Sequence, residues 1–273
     1  MLPNVAIILT NYNYGEYVIN AIKSIEKQSY KGNIRIYLVN DGSSDDSWNK
    51  IKEYANIKTN SNADFVNEKN IKRYTYNGPY EYLTDNKTFK FININNSGAS
   101  AARNLAMWEA WEWANIFGVL DADDEYKSDK VEKLVNILME YNEIGVAYAD
   151  YDIIRTFNSK NYIKEELKES YSKELLLNRC IVHSGALFKK IYAEKIILNN
   201  NEFFDSRLHG PASQGFIGCT EDYDFWIRIS NHCVISHFPE SLSIVNESGK
   251  NQSMKMNLEI FNKNAVILSS RFK

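Results

Sequence analysis

The sequence predicts an α/β fold, a mostly parallel central sheet flanked by helices and organised as a single domain. Three observations carry this. Short continuous apolar runs, the form of strands buried on both faces, recur through the first half of the chain with helix-periodic segments between them. Each run ends in a cluster of polar residues, as expected where an open parallel sheet gathers a ligand site at the carboxyl ends of its strands. With 273 residues, 44% of them apolar or aromatic, the chain can bury a large core.

Taken in order, residues 5–9 are the first strand candidate, and Val18, Ile19, Ile22 and Ile25 follow at helical spacing. A second apolar run at 34–39 completes a strand-helix-strand unit. Trp48, Ile51 and Ala55 form the next helical stripe, with Ser43 or Ser44 placed to cap it. Residues 58–88 are polar, rich in Asn and Tyr, without a persistent period and long for a connection inside a compact domain. They read as an insertion or lid rather than a linker, because the same alternation resumes beyond them. Residues 89–94 are the third strand candidate, 99–114 a helix, and 117–120 a short buried strand ending on acidic residues. Ser128 stands as a cap before Val131, Leu134, Val135 and Leu138, an i, i+3, i+4, i+7 stripe. Residues 146–151 resemble a further strand. Beyond them the pattern weakens into short helices and loops, with one more helix around 223–229.

The polar tips hold the candidate chemistry. They read Thr10-Asn11-Tyr12-Asn13-Tyr14, Asn40-Asp41-Gly42-Ser43-Ser44, Asn95-Asn96-Ser97-Gly98 and Asp121-Ala122-Asp123-Asp124. Asp41 at a Gly-Ser turn suits a carboxylate that accepts from a base edge or ribose; the plainer alternative is a turn and helix cap. Asp121, Asp123 and Asp124 crowd three carboxylates into four residues after a buried strand, a costly arrangement unless a cation or donors neutralise it. Mg²⁺ or Mn²⁺ held by one or two carboxylates and completed by phosphate oxygens fits that pattern; a solvated acidic loop is the alternative. Arg103 lies one turn into the helix opened by Ser97-Gly98-Ala99-Ser100, where free N–H groups and a guanidinium suit a diphosphate, or the residue is simply an exposed Arg on an amphipathic helix. Glu221-Asp222 begins an amphipathic turn in which a carboxylate can act as general base or merely favour the helix dipole.

Together these motifs resemble the family 2 glycosyltransferases of the GT-A fold, within the nucleotide-diphospho-sugar transferase class, over residues 5–229. Val5-Ala6-Ile7-Ile8-Leu9-Thr10-Asn11-Tyr12-Asn13 and Leu38-Val39-Asn40-Asp41-Gly42-Ser43-Ser44 look like the family's first two strands. Asn95-Asn96-Ser97-Gly98-Ala99-Ser100-Ala101-Ala102-Arg103-Asn104 is similar to its Gly-x-x-x-Ala-Arg-Asn turn and helix, and Asp121-Ala122-Asp123 to its Asp-x-Asp motif. The resemblance implies that Thr10, Asn11, Tyr12 and Asp41 contact the nucleoside, with Arg103 close to the nucleotide. It implies that Asp121 and Asp123 serve ribose and metal, with Asp124 able to share either role. Asp222, beside Glu221, matches the catalytic base of an inverting sugar transfer. Residues 1–125 would then be the nucleotide-sugar-binding half of the domain, with the insertion at about 58–88, and 126–273 the acceptor-binding and catalytic-base half. The family often carries an Arg and a His after its last core strand, where Ser243-Ile244-Val245-Asn246-Glu247 supplies neither; His209 is a candidate replacement, the plainer alternative being an ordinary loop His.

The implied partners are a nucleotide-sugar donor, with UDP favoured by resemblance, and a hydroxyl acceptor such as a glycan or lipid-linked glycan of surface polysaccharide or glycoconjugate synthesis. A net charge of -3 gives no long-range attraction for nucleic acid. Three scattered cysteines suggest neither a disulfide framework nor a zinc site, and fit a reducing cytoplasm. The N-terminus carries no signal-peptide pattern and no apolar stretch is long enough to span a bilayer, which leaves peripheral contact with the inner membrane face open. A nucleotidyltransferase would need a Gly-rich basic loop after the first strand, and a nucleotide-sugar-binding module with a degenerate site is the non-enzymatic alternative. Dinucleotide, P-loop and hydrolase motifs are missing from the sequence.

Overall fold

The computed structural model describes residues 1–59, 68–71, 74–84, 86–157, 160–209, 220–247 and 268. The chain opens with β1 (Val5–Asn11), α1 (Val18–Glu26), β2 (Ile34–Asp41) and α2 (Ser47–Thr59). Next come β3 (Glu68–Ile71), β4 (Tyr74–Thr84), β5 (Lys87–Ile94), α3 (Ala99–Ala110) and β6 (Ile116–Asp121). The second half holds β7 (Glu125–Tyr126), α4 (Lys130–Glu140), β8 (Ile144–Phe157), β9 (Lys160–Glu166), α5 (Lys173–Asn178), β10 (Leu187–Lys189), α6 (Lys190–Ala193), α7 (Glu221–Ile229) and β11 (Val234–Glu247).

All described strands join one sheet, in the order β3-β4-β5-β2-β1-β6-β10-β8-β11-β7, with β9 on β8. The middle four strands, β5-β2-β1-β6, are parallel throughout. From β1 the chain adds β2 and β5 to one side, then returns to lay β6 on the other. The direction of winding therefore reverses between β1 and β6, and the crevice beyond their carboxyl ends is where such a sheet binds ligands.

The continuous apolar runs have a simple cause. Ala6 and Ile8 point into a core with Leu105 and Ala106 of α3 and Phe225 and Trp226 of α7. Val5, Ile7 and Leu9 point the other way, against Ile22 of α1 and Leu134 of α4. Side chains alternate faces along a strand, so a strand covered on both sides must be apolar at every position.

The structure departs from the sequence expectations in four places. The polar segment 58–88, expected as an insertion or lid, contributes β3 and β4, which extend the sheet edge by antiparallel pairing onto β5; residues 60–67, 72–73 and 85 of it lie outside the described residues. β11, not anticipated as a strand, pairs in parallel with β8 and carries residues 243–247 back to the cleft. The helix after Gly98 ends at Ala110 rather than 114. Both expected caps are supplied by other residues. Asp45 accepts the Ser47 N–H at 3.0 Å, while Ser43 Oγ is held by Asn40 and Asn13. On α4 the Gln28 side chain, from beyond α1, accepts the Val131 N–H at 3.0 Å, and the Ser128 carbonyl accepts from Ser29.

Candidate active site

A cleft of about 310 Å³ opens at the reversal point between β1 and β6. Every residue selected from the sequence lines it: Thr10, Asn11 and Tyr12 from the end of β1, Asp41 from β2, Arg103 from α3, Asp121, Asp123 and Asp124 after β6, and Glu221 and Asp222 from α7, joined by His209. The Gly- and Ser-bearing loop at 210–219 lies outside the described residues.

The floor is built from side-chain amides. Asn11 Nδ2 donates to Asn40 Oδ1 at 2.7 Å, and Asn40 Nδ2 to Asn93 Oδ1 at 2.7 Å, a ladder that aligns the ends of β1, β2 and β5. Asn13, at φ 61°, accepts the Ser44 and Asp45 N–H groups on its side-chain Oδ1 at 2.7 and 3.2 Å and ties the first loop to the second. Asp41 is committed in the same way. Its carboxylate accepts the Ser97 N–H at 2.6 Å, the Gly98 N–H at 2.9 Å and the Asn96 amide at 3.2 Å. Burial raises the Asp41 pKa, and those two backbone donors oppose the rise. The residue thus clamps the β2 tip to the turn that starts α3. Gly42 lets the two tips approach: it sits at φ +65°, and a β-carbon there would fall 2.5 Å from the Asn96 nitrogen.

The acidic tip is crowded and partly buried. Asp123 and Asp124 are 6% and 8% exposed. Burial, then the Asp121 charge, raises Asp123 to about 7, while the Tyr14 hydroxyl donates to it and pulls the other way. Asp124 is pushed well up by burial and by both neighbouring carboxylates. It accepts the Asn246 N–H at 3.3 Å, and Asn246 Nδ2 donates to the Asp123 carbonyl at 2.7 Å, so β11 braces the tip. Asp121 is the more open member: its Oδ1 pairs with Arg103 Nη2 at 2.7 Å, and its side chain is 31% exposed.

Arg103 joins this tip to α7. One Nη binds Asp121, the other binds Glu221, and the buried guanidinium lies over the Phe204 ring at 5.5 Å. It is thus bound by carboxylates rather than exposed on a helix surface. Glu221 also faces His209 Nδ1 at 3.0 Å. Burial alone would raise Glu221, but His209 and Arg103 hold it down at about 2. Asp222 behaves oppositely. Burial and the adjacent Glu221 charge raise it to about 7, against the pull of Arg103. Its Oδ1 accepts the Tyr223 N–H at 2.7 Å. Two neighbouring carboxylates are thereby driven apart in acidity, one locked as an anion and the other poised near neutrality.

Sequence reasoning missed several lining residues. Tyr14 stood within the first polar tip and was readable as a donor to the acidic cluster. His183 and Ser184 come from the loop before β10, where no local pattern marks them. Val245 reaches the cleft only because β11 runs back beside β8.

The donor set suits a hard divalent cation, since the acidic tip offers carboxylate oxygens, and burial together with neighbouring carboxylate charge raises the Asp123 and Asp124 pKa values. Among the described residues no three acidic, His or Cys side chains form a ready metal cage. A cation here would therefore take one or two carboxylates and complete its shell with phosphate oxygens and water, the usual habit of Mg²⁺.

Comparison with known proteins agrees with this architecture. The model of glycosyl transferase family 2 matches residues 6–197. An uncharacterised glycosyltransferase of Haemophilus influenzae is 25% identical over 241 residues, covering 88% of this chain and 64% of that protein. The minor teichoic acid biosynthesis protein GgaA of Bacillus subtilis is 26% identical over 144 residues, 52% of this chain and 26% of its own length. The chain thus spans less than two thirds of either relative. Among solved structures, residues 1–349 of S. aureus TarS in complex with UDP-GlcNAc align with a TM-score of 0.66 and 13% identity, over 98% of this chain and 66% of that one. The mannosyltransferase PcManGT of Pyrobaculum calidifontis, in complex with GDP-Man and Mn²⁺, aligns with a TM-score of 0.61 and 14% identity, over 93% and 60%. A family match over most of the chain, on a GT-A sheet whose motif residues meet in one cleft, means that this chain belongs to glycosyltransferase family 2.

Proposed function

We propose that the chain transfers a sugar from a nucleotide-diphospho-sugar, first of all a UDP-sugar, to an acceptor hydroxyl with inversion at the anomeric carbon. The observation that carries the reading is the contrast between Glu221 and Asp222 in the same cleft as the acidic tip, to which Arg103 joins them. Thr10, Asn11 and Tyr12 form the nucleoside wall, and Asp41 shapes it by holding the Ser97-Gly98 turn. Asp121, Asp123 and Asp124 are the residues that would hold a divalent cation, Mn²⁺ or Mg²⁺, through one or two of their carboxylates, and such a cation would supply neutralising charge to the diphosphate. Arg103 keeps Asp121 and Glu221 in register, so the donor end and the base end move together. Residues 1–125 thus serve the donor and 126–273 the acceptor.

Asp222 then acts as general base. Its Oδ1 is fixed by Tyr223, which leaves Oδ2 to take the acceptor proton as the new oxygen–carbon bond forms and the bond to the diphosphate oxygen breaks. A pKa near 7 suits that task, whereas Glu221 at about 2 is too weak a base. Surface polysaccharide or glycoconjugate is the acceptor class favoured by the relative named for teichoic acid biosynthesis. Among the described residues no helix is long and apolar enough to cross a membrane, and a cytoplasmic site with peripheral access to a lipid-linked acceptor fits this reading.

A thermal-shift screen of UDP, UDP-GlcNAc, UDP-glucose and GDP-mannose, each with Mn²⁺ and with chelator, tests the donor class. A ligand at 100 times its dissociation constant adds about 2.7 kcal/mol of stability. A metal-dependent rise with one nucleotide family is expected; no rise with any of them contradicts the reading.

A further inference from the structure

His183 is set apart from the other lining residues by the way its ring is held. The Gly185 N–H donates to His183 Nδ1 at 3.0 Å, and the Tyr151 ring lies against the imidazole with centroids 4.4 Å apart. An Nδ1 that accepts a hydrogen bond cannot carry a proton, so the ring is neutral with its proton on Nε2. Among the described residues Nε2 has no hydrogen-bond partner, and His183 lines the cleft. Gly185 permits the arrangement, because a β-carbon there would come within 3.0 Å of Nδ1 and 2.8 Å of Lys130 Nζ. Ser184, next in the chain, places its hydroxyl 3.5 Å from Asp121 Oδ2, which locates the pair beside the acidic tip.

The cleft beside the pair is rich in carboxylate acceptors. Asp121, Glu221 and Asp222 can only accept when ionised, and both Nη groups of Arg103 are bound to two of them. A sugar hydroxyl both donates and accepts, so it needs a neutral donor on its other side. A fixed Nε2–H meets that need without adding charge beside the carboxylates.

Resting on the sugar-transfer reading above, we infer that His183 is a specificity-determining residue whose Nε2–H, flanked by the Ser184 hydroxyl, donates to a hydroxyl of the transferred sugar. The same chemistry could read a hydroxyl of the acceptor, and the test separates the two. His183→Phe keeps a ring against Tyr151 but removes the donor, and His183→Gln returns an N–H near the Nε2 position. The probe is whichever of UDP-GlcNAc, UDP-glucose and GDP-mannose the wild type binds more tightly than the matching bare diphosphate, measured by calorimetry with Mn²⁺. Loss of one neutral hydrogen bond corresponds to roughly 3- to 10-fold in affinity. His183→Phe is expected to weaken nucleotide-sugar binding by that factor, leave UDP or GDP binding unchanged, and be rescued in part by His183→Gln. Equal losses for the sugar nucleotide and the bare diphosphate would show a structural role and overturn the inference. An unchanged donor affinity with a raised KM for the acceptor would move the contact to the acceptor and overturn it as well. If the wild type binds none of the nucleotides, the sugar-transfer reading fails first.

Discussion

Replacing Asp41 by Ala should destabilise the protein as well as weaken nucleotide binding. The carboxylate accepts the Ser97 and Gly98 N–H groups at 2.6 and 2.9 Å, and it is only 3% exposed. Alanine leaves both backbone donors without that acceptor, and an unsatisfied buried donor costs about 1–3 kcal/mol. Removing a carboxylate that burial has made less acidic returns part of this, so a net loss of about 2–4 kcal/mol is expected. At roughly 2–4 °C per kcal/mol for a chain of about this size, the ligand-free melting temperature should fall by roughly 5–15 °C. Asn at this position keeps one acceptor and turns an amide toward the second N–H, so it should fall between wild type and Ala. Urea melts at pH 7, with the m-value held constant, give the comparison. Unchanged stability in Asp41→Ala, with only nucleotide affinity reduced, would refute the clamp and leave Asp41 as a ligand contact alone.

Three further outcomes follow from the same geometry. Gly42→Ala combines a strained φ of +65° with a β-carbon 2.5 Å from the Asn96 nitrogen, and should cost more than about 1 kcal/mol in a denaturant melt; a neutral result would mean that the two tips are not packed as described. Asp123→Ala should remove the Mn²⁺ dependence of UDP binding measured by calorimetry, and a variant that keeps it would dismiss the cation assignment. Asp222 has a native pKa raised to about 7 from an ordinary value of 3.8, so the folded state holds its proton more tightly than the unfolded state does. Its contribution to stability is complete below about pH 4 and is lost as pH rises through about 7, whereas activity, which needs the anion, rises over the same range. Accordingly kcat/KM should show an acidic limb near pH 7, and Asp222→Asn should raise the ligand-free melting temperature at pH 8 but not at pH 4; a destabilised Asn variant at pH 8 would reverse the argument.

The parallel core and its polar tips were legible because two physical signals coincide there. Residues 5–9 are apolar at every position since both faces are covered, and each tip switches abruptly to residues that bind or turn. The edge strands lacked such a signal. β4 contains Gly78-Pro79, where its register against β5 shifts, and β11 contains Pro239 at a similar shift against β8, so neither shows an unbroken period. Within the cleft, the sequence identified which residues gather but not what they touch. Asp41 and Arg103 were read as ligand contacts, yet their nearest partners are Ser97, Gly98, Asp121 and Glu221, which depend on strands and helices far apart in the chain. The caps show the same limit on a smaller scale: Gln28 reaches α4 from 103 positions earlier, beyond the range of any local motif.

The central claim is that Asp222 takes the acceptor proton while Glu221 only holds Arg103 in place. The most direct measurement is single-turnover sugar transfer by Asp222→Asn and Glu221→Gln, with the donor dissociation constant and a denaturant melt for each. A general base contributes about 10²- to 10⁴-fold, so Asp222→Asn should lose that factor in rate with donor affinity nearly unchanged and the fold intact. Glu221→Gln should chiefly lower stability, because it leaves the buried Arg103 short of a partner. A large rate loss in a stable Glu221→Gln variant, with Asp222→Asn nearly silent, would contradict the account.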